Sequence, residues 1–168
     1  MKNTIETDKE LMQDFDEKYM EMAAKLSYDN IDLGGGPFGA VVVREGEVMA
    51  IGTNSVTLEN DPTAHAEVNA IRAACRKLGS FKLTGCTVYS SCEPCPMCLS
   101  ALYWAGVSKI YYGNTKEDAA TIDFSDKFIY DEIGIEPRLR HIPGIHVDGA
   151  KTIKAFERWA ANPHSVKY

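Results

Sequence analysis

The sequence predicts an α/β fold, a three-layer α/β/α sandwich around a mixed central sheet of about five strands. Three observations predict it. The chain has 168 residues, of which 45% are hydrophobic and 25% charged, ordinary values for one domain with one sizeable core. Short apolar runs bounded by turn residues alternate with longer segments whose apolar residues recur every three or four positions. The first two short runs are neighbours, whereas later ones are separated by helix-length stretches. That order gives an antiparallel hairpin first and helical crossovers after it.

Taken along the chain, Met12, Phe15, Tyr19, Met22 and Leu26 put one apolar face on a helix over residues 8–28. Gly34-Gly35-Gly36-Pro37 breaks it. Phe38–Val43 and Val48–Gly52 are two apolar runs around a Glu45-Gly46 turn, which reads as a hairpin. Asp61-Pro62 has the chemistry of a helix start, Asp at the N-cap and Pro at the first position. Val68, Ile71, Cys75 and Leu78 give that helix its buried face, and Gly79 ends it. Cys86–Ser90 reads as a strand. Pro94 and Pro96 open a further helix to about Trp104, stopped near Gly106. Lys109–Tyr112 is a strand closed by Gly113. A helix near Phe128–Ile133, a short extended piece near Ile145 and a last helix around Lys151–Ala161 complete the pattern. No internal repeat or low-complexity linker divides the chain, so residues 1–168 read as a single domain.

Bulk properties narrow the function classes. The formal net charge is -6, which disfavours a polynucleotide partner, because tracking a phosphate backbone takes Lys and Arg. No apolar run approaches the ~20 residues needed to span a bilayer, and MKNTIETDKE lacks the apolar core of a secretory signal. Three of the five cysteines fall in one seven-residue window, which is metal chemistry in a reducing compartment and not a disulfide framework. The expected location is the cytoplasm.

That window carries the chemistry. His65-Ala66-Glu67 is followed, 26 residues on, by Pro94-Cys95-Pro96-Met97-Cys98. One imidazole and two thiolates can hold Zn2+ and leave a fourth position open, which separates a catalytic zinc from a structural one. Cys95 and Cys98, at i and i+3 of a helix start, share a face, and the exposed N–H groups there favour thiolates. Glu67 is a spare carboxylate beside the site, suited to moving protons. His65 and Glu67 pose a geometric problem, since residues two apart on a regular helix point about 200° apart. Either the first turn is irregular or the Glu67 side chain curls back.

Three other readings compete at this point. Cys92-x-x-Cys95-x-x-Cys98 resembles part of an iron–sulfur run, but the fourth Cys of such a run is missing and Leu102 stands there. A closed structural site with Cys92 as fourth ligand would make the chain a non-enzymatic zinc scaffold. Gly34-x-Gly36-x-x-Gly39 matches the dinucleotide fingerprint formally, yet a helix precedes it and a strand follows, the reverse of what that motif requires. His141, His146 and His164 have no ligand spacing to anything.

His-x-Glu with Pro-Cys-x-x-Cys is an established signature of zinc-dependent deaminases. The segments Asn60–Glu67 and Ser91–Cys98 resemble the cytidine-deaminase superfamily, and within it the bacterial guanine-deaminase branch. Gly35–Ala40, Ala101–Ala105, Asp126–Tyr130 and the final Tyr168 extend the resemblance over roughly residues 15–168. Cys92 adds weight to that branch, because relatives acting on tRNA adenosine or free cytosine commonly carry an apolar residue there.

The resemblance implies Zn2+ held by His65, Cys95 and Cys98, Glu67 as proton shuttle, and hydrolytic removal of an amino group from a small purine base. It implies that Asn54 hydrogen-bonds the base, Phe38 stacks on it, and the Ala66 N–H faces a ring carbonyl. It also gives Asp126 the departing amino group, although paired aspartates are frequent in the branch. Here Phe124-Ser125-Asp126 follows Asp123, so either acid could fill that role. Finally, it implies a homodimer that exchanges C-terminal segments, here about residues 135–168, with Tyr168 closing the partner's pocket. A nucleoside deaminase acting on guanosine and a tRNA adenosine deaminase are the rival enzymes.

Overall fold

The computed structural model describes residues 7–147, 149 and 151–167, so Tyr168 lies outside the described residues. The chain forms two compact units, one ending at Ser125 and the other beginning at Asp126.

The first unit opens with two helices, α1 (Asp8–Leu11) and α2 (Glu17–Asp32), where the periodicity predicts one. The break comes from Asp16. It takes extended dihedrals (φ -129, ψ 112), and its carboxylate accepts the Lys18 N–H at 3.1 Å. A short polar side chain that can cap a new helix competes with continuing the old one. Phe15 is thereby released from the helix and packs at 5.3 Å, edge to face, on Tyr111.

The hairpin forms as expected from β1 (Gly39–Arg44) and β2 (Glu47–Thr53), paired antiparallel. A short α3 (Val56–Glu59) follows, then α4 (Ala66–Leu78), β3 (Cys86–Cys92), α5 (Pro96–Ala105) and β4 (Lys109–Asn114), and last α6 (Lys116–Ala120). β3 pairs antiparallel with β1 and parallel with β4, giving the strand order β2-β1-β3-β4. The parallel pair requires a crossover, and α5 supplies it.

Alternation along the strands sorts the core into two layers. Ala40, Val42, Cys86 and Val88 face α4 and α5, where Ala66, Ala70, Ala74, Leu102 and Ala105 meet them. Val41, Val43, Tyr89 and Tyr111 face the other way, onto Tyr19 and Ala23 of α2. The three-layer arrangement therefore matches the sequence reading. The strand count does not: the described residues hold four strands, not about five. The piece near Ile145 stays irregular. Pro143 lacks an N–H for a ladder, and Gly144 beside it has no side chain to pack.

The start of α4 is also corrected. Asp61 does not cap a helix. Its Oδ1 accepts the Thr63 N–H and hydroxyl, both at 2.7 Å, in a local turn. The helix begins at Ala66, with His65 as its N-cap.

The second unit contains α7 (Lys127–Ile133), a 3-10 turn (Pro137–Leu139) and α8 (Ile153–Ala161). None of its described residues is buried. Among the described residues no helix is long and apolar enough to cross a membrane.

Candidate metal centre

Two helix N-termini build the site. His65 caps α4 with φ -73 and ψ 156, and Cys95 caps α5 with φ -63 and ψ 168. Both carbonyls still accept the first helical bond, from Asn69 N at 2.9 Å and Leu99 N at 2.8 Å. The extended dihedrals at position 65 resolve the problem that a regular helix would pose. His65 is outside the helical twist, so its ring and the side chain of Glu67 are not forced apart. The His65 side chain makes no bond to its own helix, and the two N-cap side chains are turned to each other.

The His65 Nδ1 lies 3.5 Å from the Cys95 sulfur and 3.4 Å from the Cys98 sulfur. All three donor atoms fall within 4.8 Å of one another, and no other described His, Cys, Asp or Glu joins them. These separations can be tested against a metal. Zinc bonds of ~2.0 Å to nitrogen and ~2.3 Å to sulfur, at the tetrahedral angle, put the two donors ~3.5 Å apart. The nitrogen–sulfur spacings match that value, and the donor set is one zinc favours. His65, Cys95 and Cys98 therefore fit Zn2+.

Charge agrees with this assignment. The Cys95 thiol is lowered to about 4, first by a hydrogen bond from Cys98 and then by His65. The Cys98 thiol is pushed upward, first by the hydrogen bond it gives Cys95, then by burial, with the negative charge of Glu67 and Cys95 adding to the effect. A dication bound by both sulfurs removes that conflict and takes both as thiolates. His65 is raised above its usual value by its contact with Cys95.

Cys92, the fourth donor of the closed alternative, is elsewhere. It is buried at the end of β3, and its thiol approaches the Thr115 carbonyl at 3.7 Å. The donor group thus contains three protein ligands.

Glu67 is the second residue of α4 and only 6% exposed. Burial raises its carboxyl above the ordinary carboxylate range, against the lowering effects of its own N–H, the Ser90 hydroxyl and the Cys98 thiol. Ser90 Oγ donates to Glu67 Oε1 at 3.0 Å.

The remaining residues singled out in the sequence divide into three groups. Asn54, Phe38 and Ala66 are tied to the same region. Asn54 is buried, its N–H donates to the Phe38 carbonyl at 3.1 Å, and its Oδ1 accepts the Val56 N–H at 3.3 Å. The next residue, Ser55, donates its N–H to Ala64 O at 2.9 Å, which joins this loop to the residue before His65. Ala66 is the first residue of α4, so its N–H has no carbonyl within the helix. Phe38 meets Phe124 edge to face at 5.1 Å. Asp123 is exposed with φ 66, and Asp126 is the half-buried N-cap of α7 in the second unit. Tyr168 is outside the described residues.

Two asparagines missed by the sequence reading hold the loop. Asn30 Nδ2 donates to Gly36 O and Asn54 O, each at 2.8 Å. Asn69 Nδ2 donates to Thr53 O at 2.9 Å and to Ser55 Oγ at 3.0 Å. A lone Asn in an amphipathic helix looks like a surface residue; only its inward position on α2 or α4 could have signalled more. The glycine fingerprint carries no dinucleotide arrangement, since α2 precedes it and β1 follows.

Residues 13–114 match the family model for the zinc-binding region of cytidine and deoxycytidylate deaminases. Over 153 residues the chain is 46% identical to a guanine deaminase of Bacillus subtilis, covering 90% of this chain and 98% of that one. An X-ray structure of guanine deaminase from Bacillus subtilis superposes with a TM-score of 0.89 at 44% identity, over 92% of this chain and 99% of that chain. A tRNA-specific adenosine deaminase of Aquifex aeolicus is 40% identical over 96 residues, covering 57% of this chain and 64% of that protein.

Proposed function

We propose that this chain, which belongs to the cytidine and deoxycytidylate deaminase family, is a zinc-dependent guanine deaminase. The observation that carries the reading is the convergence of His65, Cys95 and Cys98 beside buried Glu67, in a chain 46% identical to a guanine deaminase over nearly its full length. The reaction takes up one water, replaces the exocyclic amino group at C2 of guanine by oxygen, and releases xanthine and ammonia. When bound, zinc supplies a water acidic enough to act as nucleophile near neutral pH.

The protein supplies proton transfer and orientation. Glu67 accepts a proton from the attacking water and delivers one to a ring nitrogen of the base, then helps the departing nitrogen leave as ammonia. A carboxyl whose pKa is raised by burial suits a group that must both take and release a proton. Asn54 hydrogen-bonds the base, Phe38 stacks on it and the Ala66 N–H meets its carbonyl. The anchoring of Asn54 by Asn30 and by the 53–64 loop supports a positioned contact. A site whose polar groups are left unpaired by the wrong base can discriminate by roughly 10⁴–10⁵.

The protein acts as a homodimer that exchanges its C-terminal segments, about residues 135–168, and Tyr168 closes the partner's pocket. Two features support this. The second unit buries none of its described residues, and α5 leaves Tyr103 and Trp104 78% and 64% exposed in the isolated chain. Adjacent exposed aromatics mark interaction surfaces. The clustered cysteines suit the reducing cytoplasm.

Ammonia release from guanine, guanosine, adenine, cytosine and a tRNA tests the substrate. Guanine turns over and the others do not. A faster reaction with guanosine would reassign the pocket to nucleosides, and salt-sensitive binding and deamination of tRNA would replace the reading altogether.

A further inference from the structure

The inward face of β3 runs Cys86, Val88, Ser90. The first two join the apolar layer against α4 and α5. The third position of that face should be apolar too, by the alternation that built the strand. Serine stands there instead, 2% exposed, between Ala40 of β1 and Tyr112 of β4 in the sheet register. Across from it, the first turn of α4 brings in the buried carboxylate of Glu67, and the Ser90 hydroxyl donates to Oε1 at 3.0 Å.

We propose that Ser90 is a positioning residue for the reaction, holding Oε1 of Glu67 from the rigid centre of the sheet so that proton transfer is carried by Oε2. This rests on the reading of Glu67 as proton carrier. A shuttle must meet the incoming water and the leaving nitrogen in turn. A carboxylate free to rotate would exchange its two oxygens and lose alignment with both. One fixed hydrogen bond to a strand that cannot move gives the remaining oxygen a single location. A charge-assisted bond in a buried place is also the kind whose loss leaves a costly unpaired group.

The test uses the zinc-loaded enzyme and guanine. Ser90→Ala lowers kcat by about 10- to 100-fold, the equivalent of one hydrogen bond to a charged group, while KM changes by less than about 3-fold. Ser90→Thr, which keeps the hydroxyl and suits a strand, restores kcat to within about 5-fold of the parent. Zinc content per chain stays constant across the series. A second readout needs no turnover. Ser90→Ala lowers the melting temperature when Glu67 is present, and on a Glu67→Ala background the same change is neutral or stabilising, since no buried carboxylate then loses its hydroxyl partner. The proposal is overturned by an unchanged kcat in Ser90→Ala, by loss without threonine rescue, by loss of zinc, or by additive melting shifts. If instead the parent releases no ammonia from guanine, or Glu67→Ala keeps its rate, the functional reading fails, and the melting cycle still reports whether the two side chains are coupled.

Discussion

Gly52→Ala isolates the contact that sets α4 against the sheet. A methyl at Gly52 would run into the backbone carbonyl of Ala66 and lie 2.5 Å from the Ala70 nitrogen. Both are backbone atoms of α4 and cannot swing aside. Gly52 is not in the left-handed region, so alanine suits its dihedrals and the substitution probes packing alone. Two effects oppose each other. Alanine stiffens the unfolded chain and should stabilise by about 0.4–1 kcal/mol. Forcing volume into a closed interface costs about 1–3 kcal/mol or more. The second wins, and a net loss near 1–2 kcal/mol lowers the melting temperature by about 2–8 °C for a chain of this size. Function should fall further than stability, because the displaced end of α4 carries His65 and Glu67. The His65 nitrogen sits 3.4–3.5 Å from two sulfurs, and a shift of a few tenths of an ångström spoils tetrahedral spacing. Chelator competition should show zinc affinity reduced by about 10-fold or more, the cost of a disturbed ligand set. Gly134→Ala, with φ -78 and nothing within 4 Å, is the control and should be neutral. Gly79→Ala, at φ 61 on the far end of α4, should cost about 1–2 kcal/mol of stability and leave zinc untouched. Wild-type stability and zinc affinity in Gly52→Ala would refute the packing argument.

Three further outcomes are expected. Cys92→Ala retains one zinc per chain by metal analysis, whereas Cys95→Ala and Cys98→Ala do not; zinc loss from the Cys92 variant would restore the closed four-ligand site. Glu67→Ala keeps its zinc but loses about 10²–10⁴ in kcat, the usual contribution of a positioned acid–base group, and normal turnover would end the proposed mechanism. Zinc affinity measured by chelator competition falls as pH is lowered. The raised His65 and Cys98 hold protons that the metal must displace, and Cys95, lowered to about 4, keeps its thiolate longest. The slope should reach about tenfold per pH unit for each displaced proton. A flat profile would mean that these side chains are not the ligands.

Much of this was legible in the residues. The His-x-Glu and Pro-Cys-x-x-Cys segments named the metal centre, and the hairpin and the glycines after α4 and α5 fell where the patterns put them. The misplaced boundaries share one cause. Asp16 and Asp61 are both competent N-caps by composition and both accept an N–H two residues on, from Lys18 and Thr63, yet a helix follows only Asp16. Local hydrogen-bond competition of that kind is decided by dihedrals the sequence does not display. The expected fifth strand failed for a related reason, since Pro143-Gly144 offers no ladder donor at the proline. Asn30, Asn69 and Ser90 were illegible because their meaning lies in partners 24, 16 and 23 residues away.

The placement of the ligands follows from electrostatics more than from helix geometry. Each helix N-terminus carries about half a positive charge and so opposes a cation. What favours zinc there is the pair of thiolates, whose charge balances the dication and which the same helix ends stabilise. His65 and Cys95 take part as the N-caps of α4 and α5, and His65 does so without a cap bond. A good N-cap contributes about 1 kcal/mol, and α4 forgoes it. In return, no side chain of the cap covers the first-turn N–H groups of α4, those of Ala66 and Glu67. The Glu67 N–H instead lowers its own buried carboxyl. A helix start optimised for stability would have Ser or Asp at position 65, with its oxygen turned back on the N–H of Glu67 or Val68. The histidine faces outward to the sulfurs, so α4 can present a ligand, a donor and an acid from three consecutive residues.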